Sequence, residues 1–281
     1  MQGGFASLDE SGTRARHYRV CFKTSAAPTA PPPAPGHMTW TLDVAPYSWT
    51  LIRHPPAALA LCRVHRIAGC AAPSLCAQAI RIALQHAHVH GWRTQRHVAH
   101  NTTDFAVRDC LALAELVAPL LDTILPRLRA LFFSGSSEPA PALAVNDLFF
   151  VKYDAEHQAS LGPHRDGSIV SFSIAMNSPA VFKGGGTFFA HHDVAGKDRR
   201  VDDDDMTIVR PTAVGDLVLH SGKLVHGGVA ITSGVRYILV GFVQATGGVV
   251  DAAFMSSMTC AQARIDPELD WPILCGAVGG S

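Results

Sequence analysis

The chain has 281 residues, 48% of them apolar, which suffices for a packed core in a single domain of catalytic size. Its 23 basic and 23 acidic side chains cancel, and with no basic stripe a nucleic-acid partner has no electrostatic support. No apolar run is long enough to cross a bilayer, so no membrane partner is expected either.

Residues 1–36 are polar and then Ala/Pro-rich, a composition that cannot bury enough apolar surface to offset the cost of ordering. A mobile tail is expected, with proline-rich partner binding as the alternative. The first residues run through Asp9, Glu10 and Arg14 without the apolar stretch of a secretory signal. Seven cysteines (Cys21, Cys62, Cys70, Cys76, Cys110, Cys260 and Cys275) are scattered and lack a Cys-x-x-Cys pair. Both features point to buried thiols in a reducing compartment, cytoplasmic or nuclear.

Alternation predicts short strands at 39–44 and 62–67. Pro73 then suits a first helical turn, and Leu75, Ala79, Ile82, Ala83 and His86 recur at helical spacing until Gly91. His86, His88 and His90 are spaced by two on that helix, so they face different ways and read as solvated or capping residues rather than ligands. Leu113, Leu116, Val117, Leu120, Ile124, Leu125, Leu128 and Leu131 form a second helical stripe, expected to bend or divide near Pro119 and Pro126. Between the helices, Thr102-Thr103-Asp104-Phe105 is either turn chemistry or the rim of a site.

Beyond the turn-rich stretch at 134–139 the texture becomes β, with strands expected at 148–153, 169–176, 187–189, 207–210, 216–220 and 236–243. Helices followed by many short strands argue for an α+β domain whose strands close into a jelly roll. Gly184-Gly185-Gly186 reads as a tight turn, since it lacks the lysine and following helix of a phosphate cradle. The aspartates at 202–205 read as a solvated loop, or as an acidic lip for a basic substrate. The tail from 247, with Met255, Met258 and Trp271, is either a covering helix or an oligomer contact.

Chemistry concentrates at His164-Arg165-Asp166. Side chains two apart on an extended segment share a side, so His164 and Asp166 can face one ion, and His226 can complete the set from a second strand. Two imidazoles and a carboxylate with open positions opposite suit non-haem Fe(II). With 15 histidines, one His-x-Asp is expected by chance. His191-x-Asp193 is indeed a second, but it runs into a loop whereas the first opens an apolar strand. Arg236 lies on the last strong strand with Ile238, Val240 and Phe242 on its face and Tyr237, Leu239 and Val243 on the other. If it points inward, its guanidinium demands an anion, either one of the chain's own acids or a carboxylate co-substrate held at two points.

Residues 148–243 resemble the 2-oxoglutarate- and Fe(II)-dependent dioxygenases, and within them the procollagen lysyl hydroxylase and prolyl 4-hydroxylase group. The matching elements are Phe150-Val151-Lys152-Tyr153-Asp154, Gln158, His164-x-Asp166, Ile174-Ala175-Met176-Asn177, Gly184-Gly185-Gly186-Thr187-x-Phe189, Gly215-Asp216, His220, Leu224-x-His226 and Thr232-x-Gly234-x-Arg236-Tyr237. The Tyr153 to His164 interval and the arginine at 236 look more like the lysyl hydroxylase pattern. The resemblance implies a double-stranded β-helix core (146–246) behind N-terminal support helices (37–145), flanked by the tail (1–36) and a C-terminal extension (247–281). It implies iron on His164, Asp166 and His226, and 2-oxoglutarate with its distal carboxylate on Arg236, with Tyr153, Ser173 and Asn177 as pocket or supporting residues. O2 is the oxidant and ascorbate the reductant. A carboxylate at 166, where halogenating relatives carry a small residue, implies hydroxylation. The implied substrate is a lysyl or prolyl side chain of a protein or peptide, with collagen not assumed because glycosyltransferase-like portions are missing. A free amino acid or other small molecule is the alternative, and a non-catalytic jelly-roll binding module the second.

Overall fold

A computed structural model describes residues 39–43, 63–97, 100–133, 142–190, 206–222 and 224–246. The expected tail at 1–36, the second His-x-Asp, the aspartates at 202–205, four of the seven cysteines and the extension from 247 lie outside the described residues.

Helix α1 (Pro73–His90) begins with proline in its first turn, where a missing N–H costs nothing, and stops at Gly91. With φ at 77°, Gly91 donates its N–H to the carbonyl of Ala87. Its buried face is made of Cys76, Ala79, Ala83 and Ala87, small side chains that let a second helix approach closely. That helix, α2 (Leu111–Phe133), runs through Pro119 and Pro126 as one element rather than two. The carbonyls deprived of their donors belong to Glu115 and Asp122, both exposed, so water can replace the lost bonds. On the opposite side Leu113, Val117, Leu120, Ile124, Leu128 and Phe132 are buried. Among the described residues no helix is long and apolar enough to cross a membrane.

The strands, in chain order, are β1 (Thr39–Asp43), β2 (Arg63–Ile67), β3 (Asp104–Ala106), β4 (Ala142–Asp154), β5 (Leu161–His164) and β6 (Val170–Ala175). They continue with β7 (Phe182–Gly184), β8 (Thr187–Ala190), β9 (Met206–Val209), β10 (Leu217–Ser221), β11 (His226–Gly228) and β12 (Ile231–Thr246). A large antiparallel sheet has the order β1-β2-β10-β6-β12-β4-β3, with β7 beside β12, and a smaller one the order β5-β11-β8-β9. Val64 and Val218 of the large sheet share an apolar cluster with Phe189 and Val209 of the small one, so the two sheets are the walls of a jelly roll. The fold is α+β, as expected.

The large sheet is buried on both faces. Phe150, Phe172, Ile174, Leu217, Leu219, Leu239 and Val243 pack with the stripes of α1 and α2, and the alternate residues of β4 and β12 face the small sheet. Such a strand reads as a continuous apolar run, which is why β6 has almost no exposed position. Cys76 and Cys110 are buried thiols, and burial pushes Cys76 up to about 11, an unreactive state.

At the β3 edge, Asp104 is fully buried and binds Arg96 (2.9 Å) and Thr102 (2.7 Å), and Arg96 reaches on to Asp147 (2.6 Å). Burial alone would raise the Asp104 carboxyl, but hydrogen bonds from His97, Arg96 and Thr102 and the charge of Arg96 outweigh it and hold the group below the usual carboxylate range. A depressed carboxylate adds stability above its unfolded pKa of about 3.9, and that stability is lost as pH falls through the lower folded value. Asp104→Ala is therefore expected to destabilise the fold by about 3 kcal/mol at neutral pH, because it strands part of a buried ion pair. Urea unfolding of both proteins should show this gap narrowing below roughly pH 4.

Candidate metal centre

Strand pairing builds the centre. β5 ends at His164, β11 begins at His226, and the two residues are direct register partners across the antiparallel ladder. Their rings lie 4.4 Å apart between centroids. Asp166 falls beyond the end of β5, not on the strand itself. Its N–H donates to the carbonyl of Gly222 at 2.8 Å, and this contact turns the carboxylate back toward the two rings. Nε2 of His164 is 3.4 Å from Oδ1 of Asp166, and Nε2 of His226 is 3.5 Å from Oδ2. The three candidate ligand atoms all lie within 4.8 Å of one another, and among the described residues no other such group occurs.

The protonation pattern is set from behind. Nδ1 of His164 lies 2.9 Å from the carbonyl of Gly162, and Nδ1 of His226 lies 2.8 Å from that of Leu224. A carbonyl only accepts, so each Nδ1 carries the proton and each Nε2 offers a lone pair toward the common point. Burial is the main cause that pushes His226 down to about 3, which keeps the ring neutral, the form that binds metal. Burial by itself would raise the Asp166 carboxyl, yet His226, His164 and His220 outweigh it and keep the carboxylate ionised. Ser171 of β6 donates to Oδ2 of Asp166 and is itself bonded to Ser168. His220, buried beside His226 at 4.3 Å between centroids, engages the carbonyl of Ser221 and is not one of the three candidate ligands, although it lines the same cavity. His164 is shifted the other way from His226: burial lowers it, but the hydrogen bond and charge of Asp166 outweigh burial and raise it, so metal binding at its Nε2 displaces a proton. Two imidazoles and one carboxylate, open to a cavity, fit Fe(II) better than a closed structural ion.

That cavity, of about 260 Å³, lies between the sheets and is lined by all three residues together with Tyr153, Ser173 and Arg236. Arg236 is only 3% exposed. Its guanidinium donates to the carbonyl of Gly186 at 3.1 Å and sits 5.3 Å from the Tyr153 ring, and among the described residues no carboxylate pairs with it. Gly184, Gly185 and Gly186 have φ of 83°, 72° and 114°, a turn open to glycine, and the carbonyls of Gly185 and Gly186 receive Arg210 and Arg236. Tyr153 pairs with Arg236 in register, and burial raises its phenol, so it remains a neutral donor.

Asn177, selected with Tyr153 and Ser173 from the sequence, does not line this cavity. Its side chain donates to the carbonyl of Val235 (2.7 Å) and accepts from the N–H of Tyr237 (2.8 Å), extending the ladder past the end of β6 on either side of Arg236. His97, His100 and Thr102 do line it, and the His100 ring lies tilted beside that of His164 at 4.9 Å. The connector that carries them has no periodicity, so only the rim reading of Thr102 was available in advance.

No family model matches the chain. By sequence it is similar to procollagen-lysine,2-oxoglutarate 5-dioxygenase of Drosophila melanogaster, 29% identical over 136 residues, which is 47% of this chain and 17% of that protein. It is also similar to a procollagen lysyl hydroxylase and glycosyltransferase of Acanthamoeba polyphaga mimivirus, 37% identical over 102 residues, 35% of this chain and 10% of that one. The chain thus spans less than a fifth of the length of these relatives. Among solved structures, a prolyl-4-hydroxylase of Pseudomonas putida aligns at 16% identity with a TM-score of 0.45, covering 66% of this chain and 93% of that one.

Titration with Fe(II) or Co(II), followed by the metal's optical or quenching signal, should give one site per chain. His226→Ala should lose at least about 100-fold in affinity and Ser171→Ala about tenfold, the latter because an outer partner orients the carboxylate. Unchanged affinity in both variants would place the metal elsewhere.

Proposed function

We propose that this chain, a relative of the 2-oxoglutarate- and Fe(II)-dependent dioxygenases through the region it shares with procollagen lysyl hydroxylases, is itself a hydroxylase of that chemistry. The proposed substrate is a lysyl or prolyl side chain of a protein or peptide. The observation that carries this reading is the buried Arg236, without a described carboxylate partner, in the same cavity as the two-histidine, one-aspartate group. A buried guanidinium left unpaired costs several kcal/mol, so the cavity is built to receive an anion.

In this reading His164, Asp166 and His226 hold the iron, and Arg236 takes the distal carboxylate of 2-oxoglutarate by charge-assisted hydrogen bonds. The bound iron and co-substrate supply the oxidising power: one atom of O2 enters the substrate C–H as hydroxyl, and the other leaves in succinate as CO2 departs. The chain's own residues position and exclude. Carbonyls of Gly162 and Leu224 keep the protons on the Nδ1 atoms, and Ser171 fixes the carboxylate plane. Ile238, Val151 and Val240 line the wall with apolar surface, which keeps water from a reactive centre. Tyr153, a neutral phenol beside Arg236, offers a second donor to the same anion.

With Fe(II), ascorbate and labelled 2-oxoglutarate, the wild type should release succinate and CO2 slowly even without a second substrate. His226→Ala should abolish this release. Arg236→Gln should raise the KM for 2-oxoglutarate by about 100-fold, the worth of a buried charged contact of roughly 3 kcal/mol. No turnover in the wild type, or equal turnover in His226→Ala, removes the catalytic reading.

A further inference from the structure

The cavity has two unlike ends. Its floor is the β4–β12 ladder, and the facing pairs run from Arg236 and Tyr153, through Ile238 and Val151, to Val240 and Phe149, with Phe242 beyond. From Arg236 to Phe242 the strand covers roughly 20 Å. The triad belongs to the Phe242 end, because Ser171, which holds Asp166, is the register partner of Phe242 on β6. A small diacid reaching from the triad toward Arg236 therefore leaves the Phe242 end open to a second molecule.

That end is an aromatic wall. Phe149 and Phe242 meet edge to face at 5.1 Å, and the His97 ring lies 4.9 Å from Phe149 and 6.1 Å from Phe242. The Nε2 edge of His97 is turned into the ion cluster, 2.7 Å from Arg96 and 3.3 Å from Asp104, so the imidazole meets the two phenylalanines with its polar edge turned away, tilted 52° and 57° to their rings. Arg96 lies over the Phe149 ring at 4.6 Å, fixed by Asp104 and Asp147. One face of that ring already holds a cation, so its quadrupole is partly spent and a second cation is less welcome there.

We infer that this wall is the subsite for the side chain to be oxidised, that it selects an uncharged, mainly apolar side chain over an ammonium or a carboxylate, and that His97 and Phe242 determine the selection. The inference rests on the hydroxylase reading and narrows its substrate class. An apolar side chain gains by burial against three rings, whereas a charged one gives up hydration without a counter-ion from them.

The experiment presents the full chain, with Fe(II), ascorbate and 2-oxoglutarate, to four peptide pools of randomised flanks that carry proline, leucine, lysine or glutamate at the centre. Mass spectrometry reads the gain of one oxygen atom, and succinate release is followed in parallel. Oxygen should enter the prolyl or leucyl pool at least about tenfold faster than the other two. Phe242→Glu should shift this ratio about tenfold toward the lysyl pool. His97→Asp, placed on the same wall, should shift it in the same direction and serves if the first variant does not fold. Equal or faster oxidation of the lysyl or glutamyl pool overturns the inference, as does succinate release with no pool oxidised. Loss of succinate release in the wild type is a different failure, that of the hydroxylase reading, and takes the inference with it.

Discussion

The register of β5 against β11 is the constraint on which the site depends. His164 and His226 are 62 positions apart in the chain and become neighbours because one ladder pairs them directly. A slip of one residue in either strand would turn its ring to the face opposite its partner's, so the ligand geometry and the fold of the small sheet are one requirement. The same ladder leaves the carbonyls of Gly162 and Leu224 beside the two Nδ1 atoms, so the backbone that aligns the rings also sets their tautomers. Asp166 is the exception. It is placed by a backbone bond to Gly222 and a side-chain bond from Ser171, and thereby ties the small sheet's ligands to strand β6 of the large one.

β12 performs the complementary task. Leu239 and Val243 lock it to the helices, and the alternate residues Arg236, Ile238, Val240 and Phe242 face the cavity. A strand buried on both faces cannot rotate to relieve an unfavourable residue, so Arg236 is held inward at the cost of its own hydration. Asn177 reinforces this by supplying ladder bonds where β6 has ended. The polarity of the cavity is thus a property of one strand's sequence read in steps of two.

The support region contributes more than packing. β1, β2 and β3 extend the large sheet, and the connector after α1 brings His97, His100 and Thr102 to the cavity. What holds that connector is electrostatic: Arg96 is shared between Asp104 on β3 and Asp147 on β4, both shielded from water. Loops that carry specificity need a rigid attachment, and an ion cluster centred on the fully buried Asp104 supplies it without a large apolar area.

Period and punctuation were legible from the residues alone. Pro73 and Gly91 bound a helix because each satisfies a local backbone need, and the alternation around Arg236 divided cavity face from core face correctly. The His164-x-Asp166 pair was legible too, since ligand types at short spacing beside a strand pattern are a local fact, whereas His226, far along the chain, joined it through the resemblance and the ladder. Pro119 and Pro126 left open a bend or a division, and the helix does not divide, because the carbonyls they deprive belong to exposed residues, which spacing cannot reveal. Only the tertiary structure decided that Asn177 serves the β12 backbone, that Asp104 anchors a connector, and that His97 joins Phe149 and Phe242. Those roles arise where segments distant in sequence close on one another, and the identity of a residue does not encode what will be folded against it.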